Sequence, residues 1–316
     1  MSAVSWLSLD TDDLCHLPSQ HGHPTRSRFG GKRRETSGES EGDLVERGGT
    51  TAARRDNVVV KRVYRMSEQL QSAWTGFREW RLNAGQAIPV TLFVVAEQTT
   101  CPRFMSEMMD LLQIDATILV GCHGFDHRCW SAWPADPQGF QTAMESADGM
   151  LAAAFGAKYR RWFRAPGGYI APWMAAPLAT AGFVLDSSVN PSWLVRRKSG
   201  RRVDSRGFNG WGAVTQAIRS AGLIEREWAS SSAASRLPLN GPALHLFPLS
   251  LLARRYWRRI SQTWATENDL LDPQQDVCSY YWHILDHRRR NGRWAPPLPK
   301  SNNWDVGLGI ATEQAI

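Results

Sequence analysis

The sequence predicts an α/β fold, and three observations carry the prediction. Short apolar runs of strand length alternate with segments whose apolar residues recur at helical spacing. Several of those runs end in acidic residues, histidine or arginine, and the C-terminal ends of parallel strands are where α/β folds place their chemistry. The length of 316 residues allows two domains but equally suits a single α/β barrel with insertions.

Residues 4–9 form the first expected strand, which ends in Asp10-Thr11-Asp12-Asp13. Residues 18–57 are rich in Gly, Ser, Arg, Glu and His and have no apolar period, so they are expected to be a mobile insertion without secondary structure. His16, His21 and His23 stand at its start and are assigned to the loop. Ser67 caps the next helix, whose Met66, Leu70, Trp74, Phe77 and Trp80 share one face and which Gly85 closes. A buried strand with proline at its entry follows at 88–95, then a helix at 103–113 and a strand that delivers His123. Asp136-Pro137 starts a helix that buries Phe140, Met144, Ala147 and Leu151 up to Gly156. The stretch 159–163 leads into Arg164-Ala165-Pro166-Gly167-Gly168-Tyr169, a sharp turn expected to expose backbone amides. A helix at 172–180 and a strand within 182–189 come next, and 197–240 has no clear period, with 230–235 a polar linker. Strands are expected at 243–248 and at 277–283, the second ending in His283, and the Pro-rich tail from 291 to 316 is expected to be loose.

Hydrophobic residues make up 42% of the chain and charged residues 21%, which is globular usage and excludes wholesale disorder. A net charge of +7 suits an anionic partner, whether nucleic acid, lipid or polysaccharide surface, and does not choose among them. No nucleic-acid-binding motif is present, so no specific nucleic acid partner is expected. No apolar run reaches the roughly 18 residues that span a bilayer. Five cysteines without CxxC spacing and without a preceding signal peptide point to a reduced cytoplasm. The 15 tryptophans suit either a cleft that stacks on sugar rings or core packing.

His123 and His127 are spaced i and i+4, so two imidazoles on one turn or tight loop can converge on a divalent ion. Gly124 follows His123, so this is not the zincin HExxH, and both the third ligand and the base must come from elsewhere. Cys122 beside them is either a soft ligand or a small buried residue at a strand end. The acids at 10–13 are either site residues or a helix cap.

Taken together, Asp10-x-Asp12, His123-x-x-x-His127, Arg164-x-Pro-x-Gly168 and His283 stand at four strand ends in that order. This set resembles the polysaccharide deacetylase family with the NodB homology domain, carbohydrate esterase family 4, over about residues 4–290. The segments Pro89-Val90-Thr91-Leu92-Phe93 and Leu185-Asp186-Ser187-Ser188-Val189 are similar to two further motifs of that family. The first motif has an extra residue between its acids relative to the common T-F-D-D-G-P, which is similar to the D-x-D/E branch of deformylases and exopolysaccharide deacetylases. The resemblance implies a single domain at 1–290 folded as a distorted (β/α)7-type barrel. It implies a hydrolase that removes an acetyl or formyl group from an N-acylated amino sugar or polysaccharide, using one divalent ion such as zinc. By motif position Asp10 becomes the general base, Asp12, His123 and His127 the metal ligands, Arg164 the partner of the base and His283 the general acid. Gly168 and Tyr169 then border the oxyanion. Asp13 stays open as an alternative to Asp12, and His245 to His283. Hydrolysis of a small amide, as by allantoinase-like members, and a catalytically silent carbohydrate-binding protein are the competing readings.

Overall fold

The computed structural model describes residues 3–16, 64–85, 88–200, 210–231 and 236–299. Its centre is β1 (Val4–Asp10), buried along its whole length and paired in parallel with β2 (Val90–Val94) on one side and β7 (Val277–His283) on the other. The sheet continues through β3 (Ile118–Cys122), β4 (Tyr159–Phe163), β5 (Leu185–Asp186) and β6 (Ile224–Glu225), in the order β6-β5-β4-β3-β2-β1-β7. Every pairing is parallel. Beyond β6, Trp228 forms a parallel bridge with Ser279 of β7, and the Ala229 N–H donates to the Ser279 carbonyl at 2.8 Å. The two sheet edges therefore meet, and the sheet curls into a distorted (β/α)7-type barrel.

Helices α1 (Glu68–Trp80), α2 (Pro102–Ile114), α3 (Pro137–Phe155), α4 (Ala175–Thr180) and α5 (Gly210–Ser220) follow the strands in turn, as parallel crossovers require. Their starts follow local chemistry: Ser67 accepts from the Leu70 N–H, and Asp136 accepts from Gly139 with Pro137 at the first helical position.

Alternation along the strands sorts the core into two clusters. Leu7, Leu9, Leu92, Val120 and Phe163 face outward against Phe77, Phe104, Met108 and Phe140 of the helices. Trp6, Phe93, Trp162 and Leu185 fill the barrel. Gly121 belongs there too, because a Cβ would lie 2.7 Å from the Phe93 ring. The same inward parity continues to Asp10, His123, Arg164 and His283 at the C-terminal strand ends. At the opposite mouth, Leu270 of α7 (Glu267–Leu271) packs into the interior cluster. Arg226, one residue past β6, donates to the carbonyls of Asp269, Leu270, Asp272 and Gln275 and ties the sheet to that plug.

The structure departs from expectation in three places. Residues 243–248 are not a strand: Gly241, at φ +52°, and Pro242 start a 3-10 turn over Gly241–Leu244, and the chain then enters α6 (Leu249–Trp257). The strand expected within 182–189 is only two residues long, and the unread stretch 197–240 supplies α5 and β6. The start of the tail is packed, with Trp294 buried against His245 and His287 and its N–H donating to the Arg289 carbonyl. The expected insertion at 18–57, with His21 and His23, and residues 300–316 lie outside the described residues.

Candidate active site

Asp10 and His283 are register partners at the ends of neighbouring strands, so their inward side chains stand side by side. Asp10 is 3% exposed, and its Oδ2 lies 4.0 Å from His283 Nε2 and 3.8 Å from His123 Nε2. Its Oδ1 accepts from Arg164 Nη1 at 2.8 Å. Burial alone would raise this carboxyl, but Arg164, His123 and His283 outweigh it and hold the group below the usual carboxylate range. Asp10 is thus an anion with one oxygen held by Arg164 and the other facing the cleft.

Arg164 is fully buried, and its donors are spread over the barrel mouth. Nε donates to the Ser187 carbonyl at 3.0 Å, and Nη2 donates to Ser8 Oγ at 2.7 Å and Ser187 Oγ at 3.2 Å. The guanidinium lies 4.1 Å from the Phe93 ring centroid and 5.0 Å from that of Tyr281. Such a charge is tolerable in the interior only because every face of it is engaged.

His123 and His127 converge through a tight loop, in which Gly124 and His127 take φ +84° and +61°. A carbonyl can only accept, so the 2.8 Å contact between His123 Nδ1 and the Arg164 oxygen assigns the proton to Nδ1 and leaves the Nε2 lone pair for a ligand. Burial lowers the His123 pKa despite Asp10 and Asp12 nearby, so the ring is neutral. One ligand atom from each of Asp12, His123 and His127 can be chosen so that all three lie within 4.8 Å of one another, and all three residues are buried. Asp12 Oδ1 is buried with no hydrogen-bond partner, an arrangement that a cation would relieve. Two imidazoles and one carboxylate with an orphaned oxygen fit a divalent ion such as zinc.

Asp13 is committed elsewhere. It accepts from Tyr64 Oη at 2.6 Å, from the Ser67 N–H at 2.8 Å and from Ser67 Oγ, which places it at the start of α1 and away from the ligand cluster. His245 sits outside the cluster as well, with Nε2 2.9 Å from Asp286 Oδ1. Asp286 in turn accepts from the His283 N–H at 3.2 Å, so His245 is one step removed from the cleft. Cys122 faces the outer core, where burial pushes its thiol up to about 12. Gly168 has φ +70°, and a Cβ there would lie 2.9 Å from the Trp228 ring. The Gly168 and Tyr169 amides, expected to be exposed, donate within the turn to the carbonyls of Ala165 and Pro166 at 2.8 and 3.1 Å. An oxyanion at the Tyr169 amide would have to displace that bond.

Three contributors were not among the expected site residues. Ser8 and Ser187 hold Arg164; inward strand parity with Asp10 was the only signal for Ser8, and Ser187 stands in the Leu185–Val189 motif. His16, assigned to a loop, is buried: Nδ1 accepts from the Asp13 N–H at 2.9 Å, Nε2 contacts Glu97 at 3.0 Å, and the ring stacks on His127 at 5.7 Å.

No family model matches the chain, and no curated protein matches it. Three solved structures are similar. A Mycobacterium smegmatis protein assigned as a polysaccharide deacetylase is 15% identical, with 92% of this chain and 79% of that one covered and a TM-score of 0.45. A Streptococcus mutans family 4 carbohydrate esterase is 13% identical over 89% and 74% of the two chains, with a TM-score of 0.34. A family 4 carbohydrate esterase from Streptomyces lividans, in complex with acetate, is 14% identical over 52% and 88%, with a TM-score of 0.29.

Proposed function

We propose that this chain is a metal-dependent hydrolase that removes an N-acyl group, acetyl or formyl, from an amino sugar or polysaccharide. The observation that carries the reading is the placement of a two-histidine, one-carboxylate cluster beside an Arg164-held Asp10 and a neighbouring His283. Asp12, His123 and His127 would hold the ion. A divalent ion held there supplies Lewis acidity to an amide carbonyl and acidifies water.

The chain's own groups account for the proton movements. Asp10 Oδ2 accepts the proton of the attacking water, because Arg164 occupies Oδ1 and fixes the plane of the carboxylate. His283 donates to the departing amine nitrogen. Burial works against its imidazolium, but Asp12, Asp10 and Asp286 outweigh burial and raise its pKa. The Asp286 contact to its backbone N–H fixes the end of β7 where the ring is mounted.

A carbohydrate substrate is supported by Trp133 and Trp193, which are 36% and 55% exposed. Trp133 directly follows one 3-10 segment, Trp130–Ala132, and Trp193 starts another, Trp193–Ser199, and the two segments are joined by the 2.7 Å bond from Ser131 Oγ to the Lys198 carbonyl. Lys198 Nζ donates to the Gly167 carbonyl, which ties the Trp193–Ser199 segment to the Arg164–Gly168 turn. Most of the other described tryptophans are buried in the core. Among the described residues no helix is long and apolar enough to cross a membrane. None of the five cysteines is in a disulfide, which supports a reducing compartment such as the cytoplasm.

The test is metal analysis of the purified chain followed by acetate and formate release from a panel of N-acylated amino sugars and oligosaccharides. Release of either acid, lost on chelation and restored by a divalent ion, supports the reading. A metal-loaded chain that releases neither, yet cleaves a small amide or only retains sugars, sinks it.

A further inference from the structure

We propose that α6 and the turn before it form a docking surface for an anionic phospholipid bilayer. The inner face of α6 is firmly seated: Ala253 and Trp257 are buried, and Trp257 Nε1 donates to the Leu239 carbonyl at 2.9 Å while its ring packs on Tyr280 and Trp282. The outer face is unusual for a surface helix. Leu246, Phe247 and Leu251 are 57%, 81% and 64% exposed, and the last two are four residues apart at the start of the helix. Exposed apolar side chains grouped at one place mark an interaction site rather than ordinary surface.

Charge decides what kind of partner fits. Arg255 on the same helix and Arg258 and Arg259 just past its end are exposed, and Leu252, Arg255, Tyr256 and Arg259 line a cavity of about 370 Å³. None of these arginines has a carboxylate partner among the described residues. Arg254, half-buried beside them, has its pKa lowered first by burial and then by Arg290 and Arg258, with no acid offsetting the two cations. Apolar side chains that insert and adjacent unneutralised arginines that meet phosphate are the two halves of an interfacial helix. A protein partner would match the apolar half, and a nucleic acid the basic half; an anionic bilayer matches both at once. The apolar end of the surface is the end nearer the candidate site, since His245, which contacts Asp286 just after β7, leads directly into Leu246 and Phe247.

The experiment is vesicle co-sedimentation of the full chain with phosphatidylcholine vesicles and with vesicles carrying about a third phosphatidylglycerol, at low and high salt. Binding is expected to the anionic vesicles only, and to weaken with salt. The triple variant Arg255→Ala, Arg258→Ala, Arg259→Ala is expected to lose on the order of 10²-fold in partitioning, following the contribution of single basic residues near a charged bilayer. The double variant Phe247→Ser, Leu251→Ser is expected to lose at least tenfold with its thermal midpoint unchanged, because neither side chain is in the core. No binding to anionic vesicles, or equal binding to neutral ones, would overturn the proposal. So would oligonucleotide binding that the arginine variant abolishes and the double variant leaves intact, or a dimer in size-exclusion chromatography that Leu251→Glu dissociates. The readout is independent of turnover, so its failure is separable from failure of the hydrolase reading.

Discussion

Arg164 and Asp10, 154 residues apart in sequence, are joined by a 2.8 Å bond from Nη1 to Oδ1 inside the barrel mouth. The bond keeps a buried carboxylate ionised and leaves its other oxygen directed at His283 and His123. If Asp10 is the base, Asp10→Asn keeps Asp12, His123 and His127 and therefore keeps the metal. Turnover is expected to fall at least ~10²-fold, the scale of a positioned base. Metal content and acyl release on one preparation check both halves; loss of the ion in Asp10→Asn would make Asp10 a ligand instead.

The ligand assignment gives a second expectation. Purified protein should carry about one divalent ion per chain, and His123→Ala and His127→Ala should each lose most of it, because two protein ligands hold an ion poorly. The proton on His123 Nδ1 is held by the Arg164 carbonyl, so the turn at Arg164 supports the metal site as well as the base. Wild-type stoichiometry in both variants, read by elemental analysis, would reject these ligands.

Asp13→Ala separates the two adjacent acids. Asp13 accepts from Tyr64 Oη, the Ser67 backbone and Ser67 Oγ, so its removal leaves buried donors without an acceptor. A loss of about 2–4 kcal/mol of stability is expected by denaturant titration, with metal stoichiometry unchanged in the folded fraction. Loss of metal from a stable Asp13→Ala would reverse the roles of Asp12 and Asp13.

The legible part of this fold was the part that local rules specify. Val277–His283, Tyr159–Phe163 and the Asp136-capped helix follow from apolar runs and caps that hold whatever surrounds them. Asp10, His123, Arg164 and His283 were legible as candidates because each stands at a strand end, where inward parity brings them together, whereas Asp12 and His127 follow in the loops after β1 and β3. What was not legible depends on distant partners. Ile224–Glu225 is a two-residue strand with no period of its own, and it exists because Asp186 and Leu185 offer it a pairing edge. The run at 243–248 is apolar like a strand, yet Gly241 and Pro242 turn it and leave Phe247 exposed. His16 carries no motif, and only the fold brings it against His127.

The last expectation concerns pH and a pair outside the barrel interior. Asp186 and Glu225 are register partners on β5 and β6, and Ser188 donates to Asp186 from both its N–H and its Oγ. Those donors keep the Asp186 carboxylate supplied. Glu225 Oε2 is buried with no donor to it, while Oε1 accepts only from the Val189 N–H at 3.3 Å. Burial first, and then the charge of Asp186, raise the Glu225 pKa well above its ordinary value, so Glu225 stays protonated and serves as the donor of the pair. For an acid whose folded pKa is raised, the unfolded chain loses the proton first, at about 4.3. The associated stability is complete below that value and is lost as pH rises from there through the raised folded pKa. Glu225→Gln keeps a donor toward Asp186 and an acceptor for Val189 but cannot ionise. The variant should therefore gain thermal stability over wild type at pH 8 and match it near pH 4, so that the difference between the two melting curves grows with pH. A difference that is flat across that range, or that grows toward low pH, would mean that Glu225 is ionised in the folded chain and that the proton of the pair resides elsewhere.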